Sequence, residues 1–161
     1  MINIGIKTVP VQLLTGRYEI PVCSKAVWEK LAGCNYKEAC DMLISLKSSC
    51  CLDDTERALF VEAYKAQIKK IREKLGLTIP YYPVEDSKDT VKYDRYTVSD
   101  KLVADYANMN IYEIDNISIL DYWCLARDAF ILKLSQTEKG REYLNNAYRI
   151  TCTEADENIK L

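Results

Sequence analysis

The pattern of apolar and polar residues is helical over most of the chain, and it is clearest between residues 53 and 76. On a wheel at about 100° per residue, six apolar side chains fall within an arc of about 100°, the width of a core-facing stripe. They are Phe60, Val61, Tyr64, Ile68, Ile71 and Leu75. Charged residues take the opposite side. The pattern predicts a long amphipathic helix over these residues.

Residues 6–22 have the pattern of two short strands. Residues 6–14 and 17–22 are rich in β-branched and aliphatic side chains, and a Thr-Gly pair between them indicates a hairpin turn. Pro10 and Pro21 lack the amide hydrogen that a ladder needs, so both strands are expected at an edge. The predicted fold is therefore mainly α (α+β), with an N-terminal β-hairpin followed by helices.

Polar residues in N-cap positions place the shorter helices. Ser24, Asn35 and Ser99 each precede a helical pattern, and serine and asparagine are favoured caps because their side chains accept hydrogen bonds from free backbone N–H groups. The helix after Ser24 is expected to stop at Gly33. We therefore predict three short helices in addition to the long one.

The helical pattern is interrupted after residue 77. Pro80 and Pro83 restrict the residues before them, and the charges that follow have no regular spacing. We place a boundary between two lobes here, and expect the polar C-terminal residues to fray. The predicted parts are an N-terminal hairpin and helical lobe, a linker, a C-terminal helical lobe and a polar tail, at residues 1–77, 78–97, 98–150 and 151–161.

A helix predicted over residues 118–135 is apolar on two sides. One arc of about 120° holds most of its apolar residues, and Leu125 and Leu132 form a second strip between Asp121 and Asp128. A helix of this kind needs a neighbour on each apolar side. We expect one side to face the core of this chain and the other to contact another protein.

Arg127 lies inside the first arc, and two interpretations of it are open. In the first, its aliphatic stem packs on Trp123 and its guanidinium pairs with a carboxylate. In the second, it lies at the centre of a partner interface, where Trp, Tyr and Arg are enriched. The next helix carries Tyr143 and Tyr148 at a spacing that fits either a core or an interface. Gly140 in its first turn indicates close approach of another backbone or a weak helix start. The candidate partner-binding residues are Trp123, Leu125, Arg127, Phe130, Leu132, Tyr143 and Tyr148.

Composition argues against nucleic acid and membrane partners. The chain has 22 basic and 24 acidic residues and a net charge of −2, whereas nucleic-acid binding favours a basic domain. Its apolar runs are far shorter than the ~20 residues that cross a bilayer. No secretory signal is recognisable in the first residues, so a cytoplasmic location is expected.

The residues that most often carry chemistry are scarce. The chain has no histidine, so histidine-based triads, general bases and zinc sites are excluded. Its five glycines form no phosphate-binding motif. Its seven cysteines form no C-x-x-C pair, and we expect them to be free, mostly buried thiols. The adjacent Cys50 and Cys51 are the two that we expect to be prone to oxidation. We predict no cofactor and no metal.

Carboxylate-only catalysis is the remaining enzymatic alternative. Asp121 and Asp128 lie on one side of the predicted helix, but about 10 Å apart along its axis, which is wide for one ion. A metal-dependent hydrolase built on Asp53, Asp54, Glu56 and Asp121 is the concrete form of that alternative. Solvation and ion pairing explain these carboxylates more simply, so we expect a protein that is not an enzyme.

Two stretches of sequence carry a family resemblance. The string D-Y-W-x-L-x-R-D-A-F, followed by T-E-x-G-R-E-Y-L, resembles a C-terminal pattern of small proteins encoded in the tail gene clusters of tailed bacteriophages. The strand pair in VPVQLLTGRYEIPV is similar to the N-terminal arrangement of tail assembly chaperones. The resemblance lies mainly in residues 98–150. It implies a non-enzymatic protein that binds the tape measure protein or tail tube subunits in the host cytoplasm.

A second hypothesis is a small phage-encoded inhibitor or trigger that binds a bacterial defence protein. Its composition would differ little from that of a chaperone. Neighbouring tail genes favour the first hypothesis, and a cluster of small early genes favours the second. The sequence leaves homo-oligomerisation open.

Overall fold

The computed structural model describes residues 4–13, 16–45, 52–83 and 98–159. Strands β1 and β2 span Thr8–Gln12 and Arg17–Pro21, and a 3-10 helix spans Ile111–Asn116. Helices α1 to α6 span Lys25–Gly33, Tyr36–Ser45, Asp54–Lys74, Val98–Ala107, Ile119–Ser135 and Glu138–Ile159. The predicted fold class is confirmed: the chain is mainly helical and begins with an antiparallel hairpin.

The hairpin contributes one face to the core. β1 and β2 pair in antiparallel register, with Val9 opposite Ile20; both side chains are buried, and β1 packs against α3. The sheet of the described residues has two strands, so Pro10 and Pro21 both lie in edge strands as predicted. Leu13 N–H donates to the carbonyl of Gly16 at 2.8 Å, while residues 14–15 of the predicted turn lie outside the described residues.

Local capping explains where several helices begin. The side chains of Ser24, Asn35 and Asp53 each accept a hydrogen bond from the N–H three residues later, at 3.4, 3.0 and 2.7 Å. The caps predicted at Ser24 and Asn35 are confirmed, and Asp53 caps the long helix α3. Ser99 is not a cap, because α4 already begins at Val98 and Ser99 therefore lies inside its first turn.

The larger core lies between the hairpin, α1, α2, α3 and the first half of α5. The predicted stripe of α3 is confirmed for the four side chains that have no exposed surface, Phe60, Val61, Tyr64 and Ile68. Leu75 is exposed instead, because α3 ends at Lys74 and the chain turns away there through Gly76, whose φ is 60°. Ile119 and Leu120 of α5 are buried in the same core.

A smaller core lies between α4, the 3-10 helix and the other side of α5. Its buried members are Val103, Ala104, Ile114, Leu125 and Ala126. Helix α5 therefore faces two cores of this chain, whereas we expected its second apolar side to contact another protein. Most of the predicted linker, residues 84–97, lies outside the described residues, and the division into two lobes stays a prediction.

Helix α6 packs closely on the end of α5. A β-carbon added at Gly140 would lie 2.0 Å from the carbonyl oxygen of Leu134, so close backbone approach is the interpretation of Gly140 that is observed. The helix continues to Ile159, and the expectation that the polar C-terminal residues fray stays a prediction. Across the described residues, no helix has both the length and the apolar character that a membrane crossing requires.

Candidate protein-binding groove

Trp123 joins three helices of the protein. Its ring meets that of Trp28 edge to face, with centroids 5.3 Å apart, and the guanidinium of Arg72 lies 4.5 Å from its ring centroid. The side chain is half-buried at the edge of the larger core. Trp123 therefore holds α5 to α1 and α3, and its predicted contact with a partner stays a prediction.

Arg127 has partners within the protein. Its Nη1 donates to the carbonyl oxygen of Gly76 at 2.9 Å, and its Nε and Nη2 donate to Asp128 Oδ1 at 2.9 and 2.8 Å. A cation at the C-terminal end of a helix satisfies carbonyls that have no helical partner and is favoured by the helix dipole. Of the two open interpretations, these contacts match the one in which the guanidinium pairs with a carboxylate. The cation that lies over the Trp123 ring, however, is that of Arg72.

Leu125 corrects the predicted contact surface. It is 6% exposed and packs in the smaller core with Val103, because α4 covers this part of the strip. Leu132, one heptad further along the same strip, is 48% exposed. The strip is therefore half core and half surface, and Leu125 is not available to a partner.

Phe130 and Tyr143 belong to an aromatic chain that ends on Tyr82. The ring centroids of Phe130 and Tyr143 are 6.2 Å apart, and those of Tyr143 and Tyr82 are 5.9 Å apart. Tyr82 N–H also donates to Tyr143 Oη at 2.9 Å. These contacts hold residues 79–83 on α6. Tyr148, by contrast, is exposed and takes part in neither of these ring contacts.

Two neighbouring cavities between α4 and α5 form what we call the α4–α5 groove. The first has a volume of about 360 Å³ and is lined by Ile79, Val98, Ser99, Leu102, Ala126, Phe130, Lys133 and Leu134. The second has a volume of about 240 Å³ and is lined by Leu102, Asp105, Tyr106, Ala129, Leu132, Lys133 and Gln136. Leu102 and Lys133 line both cavities, so they lie where the two meet.

The walls of the groove are apolar and open to solvent. Ile79, Val98, Tyr106 and Leu132 expose between 37% and 48% of their surface here. Phe130 and Leu132 are the two predicted site residues that the structure brings to the groove. The spacing of Val98, Leu102 and Tyr106 along one face of α4 was a signal for it in the sequence. Ile79 reaches the groove from the segment that follows α3, and no pattern in the neighbouring sequence predicts its position there.

Lys133 is the cation of the groove, and it forms no ion pair with any residue that the structure describes. It is exposed on α5. Lys101 of α4 differs, because its Nζ lies 2.7 Å from Asp105 Oδ1. The groove therefore combines mainly apolar walls with the positive charge of Lys133 at its centre, while Asp105 of the second cavity is paired with Lys101.

A buried lysine fixes the position of α4, which forms one wall of the groove. Lys25 is 4% exposed, and its Nζ lies 3.0 Å from Glu29 and Asp115 and 3.3 Å from Asp100. Burial lowers the pKa of Lys25, but hydrogen bonds to Asp115, Glu29 and Asp100 outweigh burial, and the pKa is raised. The cluster links α1 to α4 and to the 3-10 helix.

Tyr122 extends this cluster to α5. Its hydroxyl donates to Asp100 Oδ1 at 2.9 Å, and its ring centroid lies 5.3 Å from the Lys25 ammonium. Burial, together with that hydrogen bond, raises the pKa of Tyr122. The hydrogen bond from Tyr122 to Asp100 therefore attaches α4, one wall of the groove, to α5, the other wall.

Two carboxylates of the enzymatic alternative, Asp53 and Asp121, make hydrogen bonds that stabilise the fold. Asp53 caps α3, and Asp121 accepts hydrogen bonds from Ile4 N–H at 3.0 Å and from the Ser118 hydroxyl at 2.7 Å. The side chain of Asp54 lies outside the described residues. In the part of the chain that the structure describes, no three Asp, Glu, Cys or His side chains gather as metal ligands would.

Cys23, Cys34, Cys124 and Cys152 are free thiols. Cys23, Cys40 and Cys124 are buried, and burial raises the pKa of the Cys23 and Cys124 thiols. Cys50 and Cys51 lie outside the described residues. Comparison of the chain with protein families, with curated proteins and with solved structures found no match.

Proposed function

We propose that this chain is a non-enzymatic protein that binds an apolar helical segment of another protein in the α4–α5 groove. The observation that carries the proposal is the pair of adjoining cavities, whose walls expose Val98, Tyr106 and Leu132 to solvent. Contiguous exposed apolar surface on a folded protein marks a site of interaction. A groove between two helices suits an amphipathic helix that inserts its apolar face.

The class of partner in this proposal comes from the resemblance to tail assembly chaperones. That resemblance implies binding to the tape measure protein or to tail tube subunits in the cytoplasm of the host. A long tail protein that is still unassembled exposes apolar helical segments, and such surface aggregates unless it is covered. Covering one segment in the groove would keep the partner soluble until assembly.

Co-expression with the tape measure protein of the same genome tests the proposal. Leu132→Asp places a charge in the groove, and Leu59→Asp is a matched control because Leu59 is an exposed leucine of α3 outside the groove. We expect the wild type and the control to raise the soluble fraction of the partner and to co-purify with it. Leu132→Asp should do neither.

Two results would overturn the proposal. One is a wild-type chain that neither solubilises nor co-purifies with the tape measure protein or the tube subunit. The other is an equal effect of the two substitutions, which would take the binding site away from the groove. A gene that lies among small early genes, in a genome without tail genes, would contradict the assignment to tail assembly.

A further inference from the structure

We infer that Lys133 selects the partner: the helix that occupies the groove carries an acidic residue midway between two apolar residues seven positions apart. This inference rests on the proposed function and specifies the chemistry of the partner. Three observations carry it, namely the spacing of the two cavities, the position of Lys133 between them, and the ion pairing of the neighbouring charges.

The spacing of the cavities sets the spacing of the apolar residues. The α4 wall extends from Val98 in the first cavity to Tyr106 in the second, which is about 12 Å at 1.5 Å per residue. On a partner helix lying along α4, residues i and i+7 are about 10.5 Å apart and point to the same side. One apolar side chain then enters each cavity.

The position of Lys133 sets the residue between them. Leu102 and Lys133 line both cavities and therefore face the middle of the bound helix. Residue i+3 or i+4 of that helix lies on the same side as the two apolar residues and points to this place. An acidic side chain there meets the Lys133 ammonium, whereas a lysine would be repelled by it.

The neighbouring charges leave Lys133 available. Asp105, which lines the second cavity, is paired with Lys101 at 2.7 Å. Lys133 itself is exposed and has no ion-pair partner in the described ranges. The charge at the centre of the groove is thus positive and is met by no carboxylate of the described chain.

Three synthetic helical peptides test the inference. They share leucine at i and i+7 and differ only at i+4, which is glutamate, alanine or lysine. By fluorescence anisotropy on the wild type, we expect the glutamate peptide to bind most tightly, roughly two- to fivefold better than the alanine peptide, and the lysine peptide to bind least. The preference should shrink as salt is raised, because the pair is exposed.

Variants of the protein assign the preference to Lys133. Lys133→Met should abolish the difference between the peptides, and Lys133→Glu should reverse their order. Lys139→Met is the matched control, since Lys139 is an exposed lysine beyond the groove on α6, and it should keep the wild-type order. Because Lys133 is exposed, all variants are expected to melt close to the wild-type temperature.

Each outcome distinguishes the inference from the function on which it rests. Equal affinities for the three peptides on the wild type would overturn the selection by Lys133 and leave groove binding intact. A preference that survives in Lys133→Met, or that Lys139→Met removes equally, would also overturn it. No binding of any peptide would overturn both the inference and the proposed groove.

Discussion

Arg127 donates a hydrogen bond from Nη1 to the carbonyl oxygen of Gly76, 2.9 Å away, just beyond the C-terminal end of α3. The two residues belong to the two halves of the chain, and their contact places α5 against the end of the longest helix of the larger core. Because Nε and Nη2 are held by Asp128, the guanidinium has a fixed orientation. Arg127 is thus a structural contact between the two halves of the protein.

Arg127→Ala should therefore destabilise the protein. The substitution leaves the Gly76 carbonyl and Asp128 without this partner, and we expect the free energy of unfolding in urea to fall by about 1–3 kcal/mol. Arg149→Ala, which removes an exposed arginine of α6, should change it by less than about 0.5 kcal/mol. Equal denaturation midpoints for the two variants would show that the contact contributes nothing to folding.

Gly140→Ala should open the turn between α5 and α6. The new β-carbon would lie 2.0 Å from the Leu134 carbonyl oxygen, so a backbone must move, and we expect a loss of about 1–3 kcal/mol. That corresponds to a melting temperature lowered by roughly 3–10 °C in a domain of this size. Gly33→Ala, where nothing lies within 4 Å, should leave the melting temperature unchanged or raise it slightly.

Lys25→Met should weaken the attachment of α4. It removes the cation between Glu29, Asp100 and Asp115, and we expect a loss of about 2–3 kcal/mol in urea denaturation. Lys101→Met removes an exposed pair of α4 and should change the free energy by about 0.3–0.5 kcal/mol. A Lys25 variant as stable as the Lys101 variant would mean that the buried cluster does not stabilise the fold.

The contribution of Lys25 should have a defined pH dependence. The pKa of Lys25 in the folded state is raised above its ordinary value of 10.5, so below that pH the lysine is charged in both the folded and the unfolded chain and contributes fully. Above it, the unfolded chain loses the proton first, and the contribution falls. The stability difference between wild type and Lys25→Met should stay flat from about pH 7 to pH 10 and shrink above. A stability difference that instead changes in favour of the wild type as pH rises from about 8 to 10 would indicate a pKa lowered by burial.

Tyr143→Phe should release residues 79–83 from α6. The substitution removes the hydroxyl that accepts from Tyr82 N–H at 2.9 Å, so the Tyr82 amide should exchange with deuterium roughly 2- to 10-fold faster. Tyr148→Phe alters an exposed hydroxyl of the same helix and should leave that rate unchanged. Unchanged exchange in Tyr143→Phe would show that the ring contacts alone hold the segment.

Features that depend on neighbouring residues could be predicted from the sequence. Ser24 and Asn35 cap helices because each side chain reaches an N–H three residues away. The buried stripe of α3 could be predicted because helical periodicity relates residues that are close in sequence. The prediction is wrong at Leu75, because periodicity does not show where a helix ends.

Features that depend on packing between distant segments could not be predicted. Leu125 and Leu132 have the same pattern in sequence, and only the placement of α4 makes one core and the other surface. Arg127 finds its acceptor on Gly76, far away in the chain. The groove could not be predicted either, because its walls come from segments that are distant in sequence, namely α4, α5 and Ile79.

Methyl NMR spectra of the complex with the tape measure protein test the groove most directly. On binding, the methyl signals of Val98, Leu102 and Leu132 should shift, because these side chains line the two cavities, while that of Leu59 on α3 stays in place. Shifts confined to Leu59 and its neighbours, with unmoved signals from Val98, Leu102 and Leu132, would contradict binding in the α4–α5 groove.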